Sequence, residues 1–170
     1  MKKTFWIYFK NRKGDIITDT LTFVGFIFVF ALLAYLVYPF LQDINTDVQN
    51  DASYTATSKT HFSSFTTRYP KMVDGMFVVF VIIFTVLIGL TSFFLDTNPI
   101  FFVIALILLV VLLFVGAVLS NTHAEITEDS DYTNVKTLYP NMDRILNNLP
   151  ALILFEFAMV ALILYSKRGD

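Results

Sequence analysis

The chain has 170 residues, 56% of them hydrophobic and only 15% charged, with a net charge of −2 and no cysteine. A charged fraction below the ~25% of an average soluble protein points to lipid as the solvent. The missing thiols exclude disulfides, thiol catalysis, cysteine-ligated zinc and S-palmitoylation. Basic residues are dense only in the first 13 positions, so no sequence-specific nucleic-acid contact is expected.

Residues 1–20 read as a basic, aromatic interfacial arm. Trp6 and Tyr8 suit the headgroup level, and Lys10, Arg12 and Lys13 suit the phosphates. The apolar part of this arm is too short for a signal peptide, and no small-residue cleavage site precedes a full-length span.

Four apolar runs follow, at 21–41, 76–95, 100–119 and 149–166. Each is close to the ~20 residues that carry a helix across ~30 Å of hydrocarbon. The expected fold is all-α: an integral membrane protein with four transmembrane helices as two helical hairpins, both termini on the same side. Residues 42–75 form the first expected outer loop. They are rich in Thr, Ser, Asn and Asp and too poor in aliphatics for a core of their own. Residues 43–50 can prolong the first helix. Residues 96–99 form a tight inner turn, with Asp96 as a cap and Pro99 in the first turn of the third helix. Residues 120–148 form the second outer loop. It begins acidic (125–131), and then Pro140 opens a short interfacial helix with Met142, Ile145, Leu146 and Leu149 at helical spacing. Residues 167–170 are an inner tail.

Basic residues orient the spans. Five lie in the first 13 positions, and Lys167 and Arg168 lie at the other end, against five diluted through the two long loops. Both termini are therefore expected in the cytoplasm or the equivalent interior, with the loops outside. Tyr69 and Tyr139 are further expected interfacial anchors. Each precedes a proline, in Thr67-Arg-Tyr-Pro-Lys-Met72 and Thr137-Leu-Tyr-Pro-Asn-Met142. This echo reads either as a duplicated hairpin or simply as a Tyr-Pro boundary signal before a helix.

Glu156 is the sole acid or base deep within a span. A charge at the bilayer centre costs roughly 2.5 kcal/mol or more, so this carboxyl should face protein or water. Thr85 and Tyr35 are the depth-matched polar partners. Glu156 reads as interhelical glue through a hydrogen bond or as a proton-coupled site. Gly116 and Ser120 form a small-xxx-small pair, and Ala158 and Ala161 also permit close helix approach, within the bundle or between subunits. His61 and His123 have no second ligand at metal spacing, so no metal site is expected. No nucleophile context or phosphate loop is present, so neither a catalytic residue nor a cofactor is expected.

Two stretches carry a resemblance: residues 96–111 with Leu119-Ser-Asn121, and residues 148–154 with Leu164-Tyr-Ser-Lys-Arg-Gly169. They resemble small multi-span membrane proteins of tailless, membrane-containing bacteriophages. The resemblance implies a structural component of a virion's internal membrane, made in the host inner membrane. Its partners would be capsid or membrane proteins held through 42–75 and 120–148, and it supplies no catalytic residue. A homo-oligomer is a further partner choice. A proton-coupled transporter or channel using Glu156, or a holin-like pore, are the alternative functions.

Overall fold

The structure, a computed structural model, describes residues 16–93, 99–129, 132 and 134–166. The arm with Trp6, Tyr8, Lys10, Arg12 and Lys13, positions 96–98 of the inner turn, and the tail with Lys167 and Arg168 lie outside the described residues. Among the described residues the chain is helical, without strands. Its elements are α1 (Ile16–Asn50), α2 (Ala56–Phe93), α3 (Pro99–Glu128), α4 (Val135–Leu138), α5 (Pro140–Leu146) and α6 (Leu149–Ser166). Helices α1, α2, α3 and α6 are each long and apolar enough to cross a membrane.

Residues 16–20, expected in the interfacial arm, are the first turn of α1. The larger departure concerns the expected outer loops. Helix α1 has 35 residues and α2 has 38, so at ~1.5 Å per residue each is over 50 Å long, well beyond the ~30 Å of hydrocarbon. Residues 42–75 are thus helical except for 51–55. Threonine hydroxyls in this polar stretch bond back within the helix. Thr46, Thr60, Thr66 and Thr67 each donate to the carbonyl four residues back, at 2.9–3.0 Å, so the hydroxyls do not compete for backbone elsewhere.

The connection between α1 and α2 is closed by side chains. Asp51 accepts the Ser53 backbone N–H at 2.8 Å; that N–H pulls the exposed carboxyl below the usual carboxylate range. Thr55 caps α2 by accepting the Ser58 N–H. Lys59 donates to the Gln49 carbonyl at 2.7 Å, and Gln49 returns a bond to the Lys59 carbonyl at 2.9 Å. This pair ties the end of α1 to the start of α2.

The second expected loop is also mostly helix. α3 continues to Glu128, and α4 and α5 follow. Pro140 stands in the first turn of α5, and Met142, Leu146 and Leu149 are fully buried. The two Tyr-Pro copies are not equivalent. Pro70 lies inside continuous α2, whereas Pro140 opens α5. The motif therefore marks a helix start in one place only. An interior proline costs a backbone hydrogen bond, and Pro70 is buried in the packed face of α2.

Helices α1 and α2 run antiparallel, with Phe30 against Phe77, Phe26 against Phe80 and Phe23 against Phe84 at ring separations of 6.1, 6.2 and 5.2 Å. α6 packs on α2 and α3. The buried core joins Phe23, Ile27 and Ala31 of α1, Phe77 and Val81 of α2, and Ile153 and Val160 of α6. These contacts also set the heights of the spans. Thr85 and Glu156, both near the middle of their apolar runs, touch at 3.2 Å. Phe23, at the same height through Phe84, is near the start of its run. The apolar run of α1 is therefore displaced towards its Asn50 end by about eight residues, or ~12 Å, with Leu36 and Phe40 57% and 64% exposed towards that end.

Gly116 is where α3 meets α6. A Cβ there would lie 2.6 Å from Ile153 Cδ1 and 3.5 Å from the Pro150 nitrogen. An alanine displaces only a side-chain tip, but a leucine has no room before the α6 backbone. Gly116→Leu is expected to cost about 1–3 kcal/mol and to separate the helices. Cysteine pairs placed across α3 and α6 test this; undiminished cross-linking in the leucine variant would refute it.

Candidate functional site

The described residues contain two buried polar clusters. The first lies where α3, α4 and α5 cover the middle of the α1–α2 pair. Asp74 on α2 is 4% exposed. One carboxylate oxygen accepts the Met142 N–H at 2.8 Å; the other accepts the Asn141 side-chain amide at 2.8 Å and its backbone N–H at 3.3 Å. These backbone groups are orphan donors in the first turn of α5. Asp74 therefore caps α5 from another helix, and its negative charge faces the positive end of the helix dipole. Tyr139, the residue before α5, offers no side-chain cap bond.

The second part of this cluster is a directed chain of hydrogen bonds. His123 is fully buried. Its Nδ1 lies 3.0 Å from Asn147 Oδ1, and its Nε2 lies 2.9 Å from the Tyr35 hydroxyl. Asn147 Nδ2 donates to Asp143 Oδ1 at 3.0 Å. The carboxylate only accepts, which orients the amide; the amide oxygen then requires a proton on Nδ1. With Nδ1 protonated, neutral His123 accepts from Tyr35 at Nε2. Donation runs one way, Tyr35 to His123 to Asn147 to Asp143. Asp143 Oδ1 is also 4.0 Å from Nε2. This chain links α1, α3 and α5. Ser120 adds a bond to the Asn147 carbonyl at 2.8 Å, serving as a helix-end cap as well as a small residue.

Tyr139 completes the cover. Expected at the lipid interface, it is instead fully buried and donates to the Ala34 carbonyl at 3.2 Å. Burial holds its hydroxyl protonated well above the ordinary phenol range. Beside it, Tyr35, Tyr38, Gln42 and Tyr132 help line a cleft of about 50 Å³, far below the ~300 Å³ at which small-molecule sites begin. The arrangement holds helices in place.

The second cluster is inside the spans. Glu156 is 1% exposed and accepts from Thr85 at 3.2 Å; Oε2 has no hydrogen-bond partner among the described residues. Tyr35, the other expected partner, is engaged with His123 and does not reach Glu156. The remaining expected positions separate. Gly116 is buried against α6, Ala161 is half-buried, and Ala158 is exposed, so it faces away from the bundle. Tyr69 is half-buried beside Phe65. Among the described residues, no group of three or more His, Asp or Glu side chains is placed to hold a metal ion.

Sequence reasoning missed Asp74, Asn147, Asp143 and the role of His123. The spacing of Asp143 and Asn147 is a legible helical pair. Nothing near Asp74 in the sequence signals a cap whose helix begins 66 residues later. Comparison with known protein families, curated proteins and solved structures finds no match.

Proposed function

We propose that this chain is a non-enzymatic structural membrane protein that grips a soluble protein assembly. Its spans form two helical hairpins with both termini on the inner side, and the polar ends of α1 and α2 project outward as a stalk. The observation that carries this reading is the helical continuity of 42–50 and 56–75 with their spans. A rigid lever cross-tied by Gln49 and Lys59 presents a fixed polar surface, as an anchor needs. The cover of α4 and α5, locked by Asp74 and His123, supports the same reading, because its buried polar groups are spent on holding helices.

The resemblance to phage membrane proteins makes a virion's internal membrane the proposed setting and a capsid shell or vertex complex the proposed partner, facing 42–75 and 120–148. Gentle purification of the full chain from its native membrane, with cross-linking and mass spectrometry, tests this. A soluble protein in fixed stoichiometry, cross-linked within 43–69, is the expected result. Recovery of the chain without any soluble protein would overturn the reading.

The unpartnered Oε2 of Glu156 supports a second reading, proton coupling across the membrane. Glu156→Gln separates the two. As glue, the amide keeps an oxygen for Thr85, and stability should change by less than about 1 kcal/mol. Proton flux in liposomes that the wild type carries and the glutamine variant loses would instead establish coupling.

A further inference from the structure

Helix α2 carries a second pattern on its outward face. In its polar half, Phe62, Phe65, Tyr69 and Met72 recur at alternating steps of three and four. The same alternation continues in the apolar half through Met76, Val79, Ile83, Val86 and Leu90. Phe65, Met72 and the five that follow are each 47–56% exposed; Phe62 and Tyr69 are half-buried. The opposite face, with Thr66, Asp74, Phe77 and Val81, is buried in the bundle. An apolar seam at a spacing of ~3.5 residues over four heptads is the geometry by which a helix pairs with a like helix in a left-handed supercoil.

Lipid satisfies the lower half of this seam and not the upper. Taking Thr85 and Glu156 as mid-height, the ~15 Å half-thickness of hydrocarbon ends about ten residues up α2, near Met76. Phe62 and Phe65 stand roughly 17–21 Å further out, among Thr67, Arg68 and Lys71. A soluble partner would match only the upper zone of the seam. A second α2 matches it at every height. Two copies in one membrane share an orientation, so a two-fold axis along the membrane normal sets each seam residue against itself. Of the flanking positions over 61–75, Thr66 is buried in the bundle and Val73 is half-buried; the others are His61, Arg68 and Gly75, so no like-charged pair crosses the seam. Half-exposed side chains along four heptads amount to roughly 600 Å² per copy, near the ~800 Å² per partner of a stable interface.

We infer that this chain forms a parallel homodimer through the outward heptad seam of α2, from Phe62 to Leu90. The inference stands apart from the shell-binding reading and does not require it.

The chain lacks cysteine, so introduced thiols are unique. Phe65→Cys, Met72→Cys and Met76→Cys lie on the seam; Thr67→Cys and Lys71→Cys are exposed but off it. A disulfide needs Cα atoms within about 7 Å. Mild oxidation of the full chain in liposomes should give at least about tenfold more linked dimer at the three seam positions than at the other two. In detergent, a double variant Phe65→Glu with Met72→Glu should halve the mass of the particle with helicity unchanged. Equal linking at all five positions, no linking at any, or a monomeric wild type overturns the dimer. So does cross-linking of the seam positions Met72→Cys and Met76→Cys to a different protein in native membranes.

Discussion

Asp74→Ala is expected to release α5 from the end of the bundle. The Met142 N–H is buried with its residue, and without the carboxylate it has no acceptor; an unpaired buried donor costs about 1–3 kcal/mol. Loss of the negative charge at the helix N-terminus adds about 0.3–1 kcal/mol. The Asn141 groups are exposed and turn to water. The total is about 1–4 kcal/mol, concentrated in 139–147. Hydrogen exchange in detergent should show those amides opening well before the spans. Asp74→Asn should lie between wild type and alanine, because the amide keeps one accepting oxygen and loses the charge. If the Asn141 and Met142 amides exchange as slowly in the alanine variant as in wild type, Asp74 is not the cap.

His123→Ala is the second large effect. It strands the buried Tyr35 hydroxyl and leaves a cavity where the ring was, while the exposed Asn147 amide turns to water. The stranded hydroxyl costs about 1–3 kcal/mol and the cavity adds to it, for a total expected near 2–4 kcal/mol. Tyr35→Phe removes one end of the chain and should cost about 1 kcal/mol. The two changes should not add. In the double variant the hydroxyl that His123→Ala would strand is already gone, so the sum should fall short by about 1–2 kcal/mol. Thermal unfolding of the four proteins in one detergent measures this cycle. Strict additivity would show that Tyr35 and His123 are neighbours without a shared bond.

These two sites explain how the ends of the spans differ from their middles. In the middle, Phe23, Phe77, Ile153 and their neighbours associate through packing, and the polar contact of Thr85 with Glu156 is a single bond. At the end covered by α4 and α5, buried polar groups carry the specificity: Asp74 selects the position of α5, and His123 fixes its distance from α1 and α3. A substitution in the middle should therefore loosen packing by degrees, whereas one at the cover should free a whole element.

The sequence by itself determined that there are four helices apolar and long enough to cross a membrane. Hydrocarbon penalises every unpaired backbone group, so a run of ~20 apolar residues has few other ways to fold. It also determined the short helix at Pro140, because a proline start and apolar residues at helical spacing act locally. Tertiary structure decided the rest. The extension of α1 over 43–50 was legible, but the reach of α2 back to Ala56 and the tie between Gln49 and Lys59, ten residues apart across a turn, were not. The partner of Glu156 depended on span heights: the displacement of α1 towards its Asn50 end carries Tyr35 to His123 and leaves Thr85 at the carboxyl. The cap of α5 comes from Asp74, 66 residues before that helix. A hydrogen bond between residues so far apart in the chain leaves no local pattern, since either residue alone suits an ordinary solvated surface and only the packed helices bring them together.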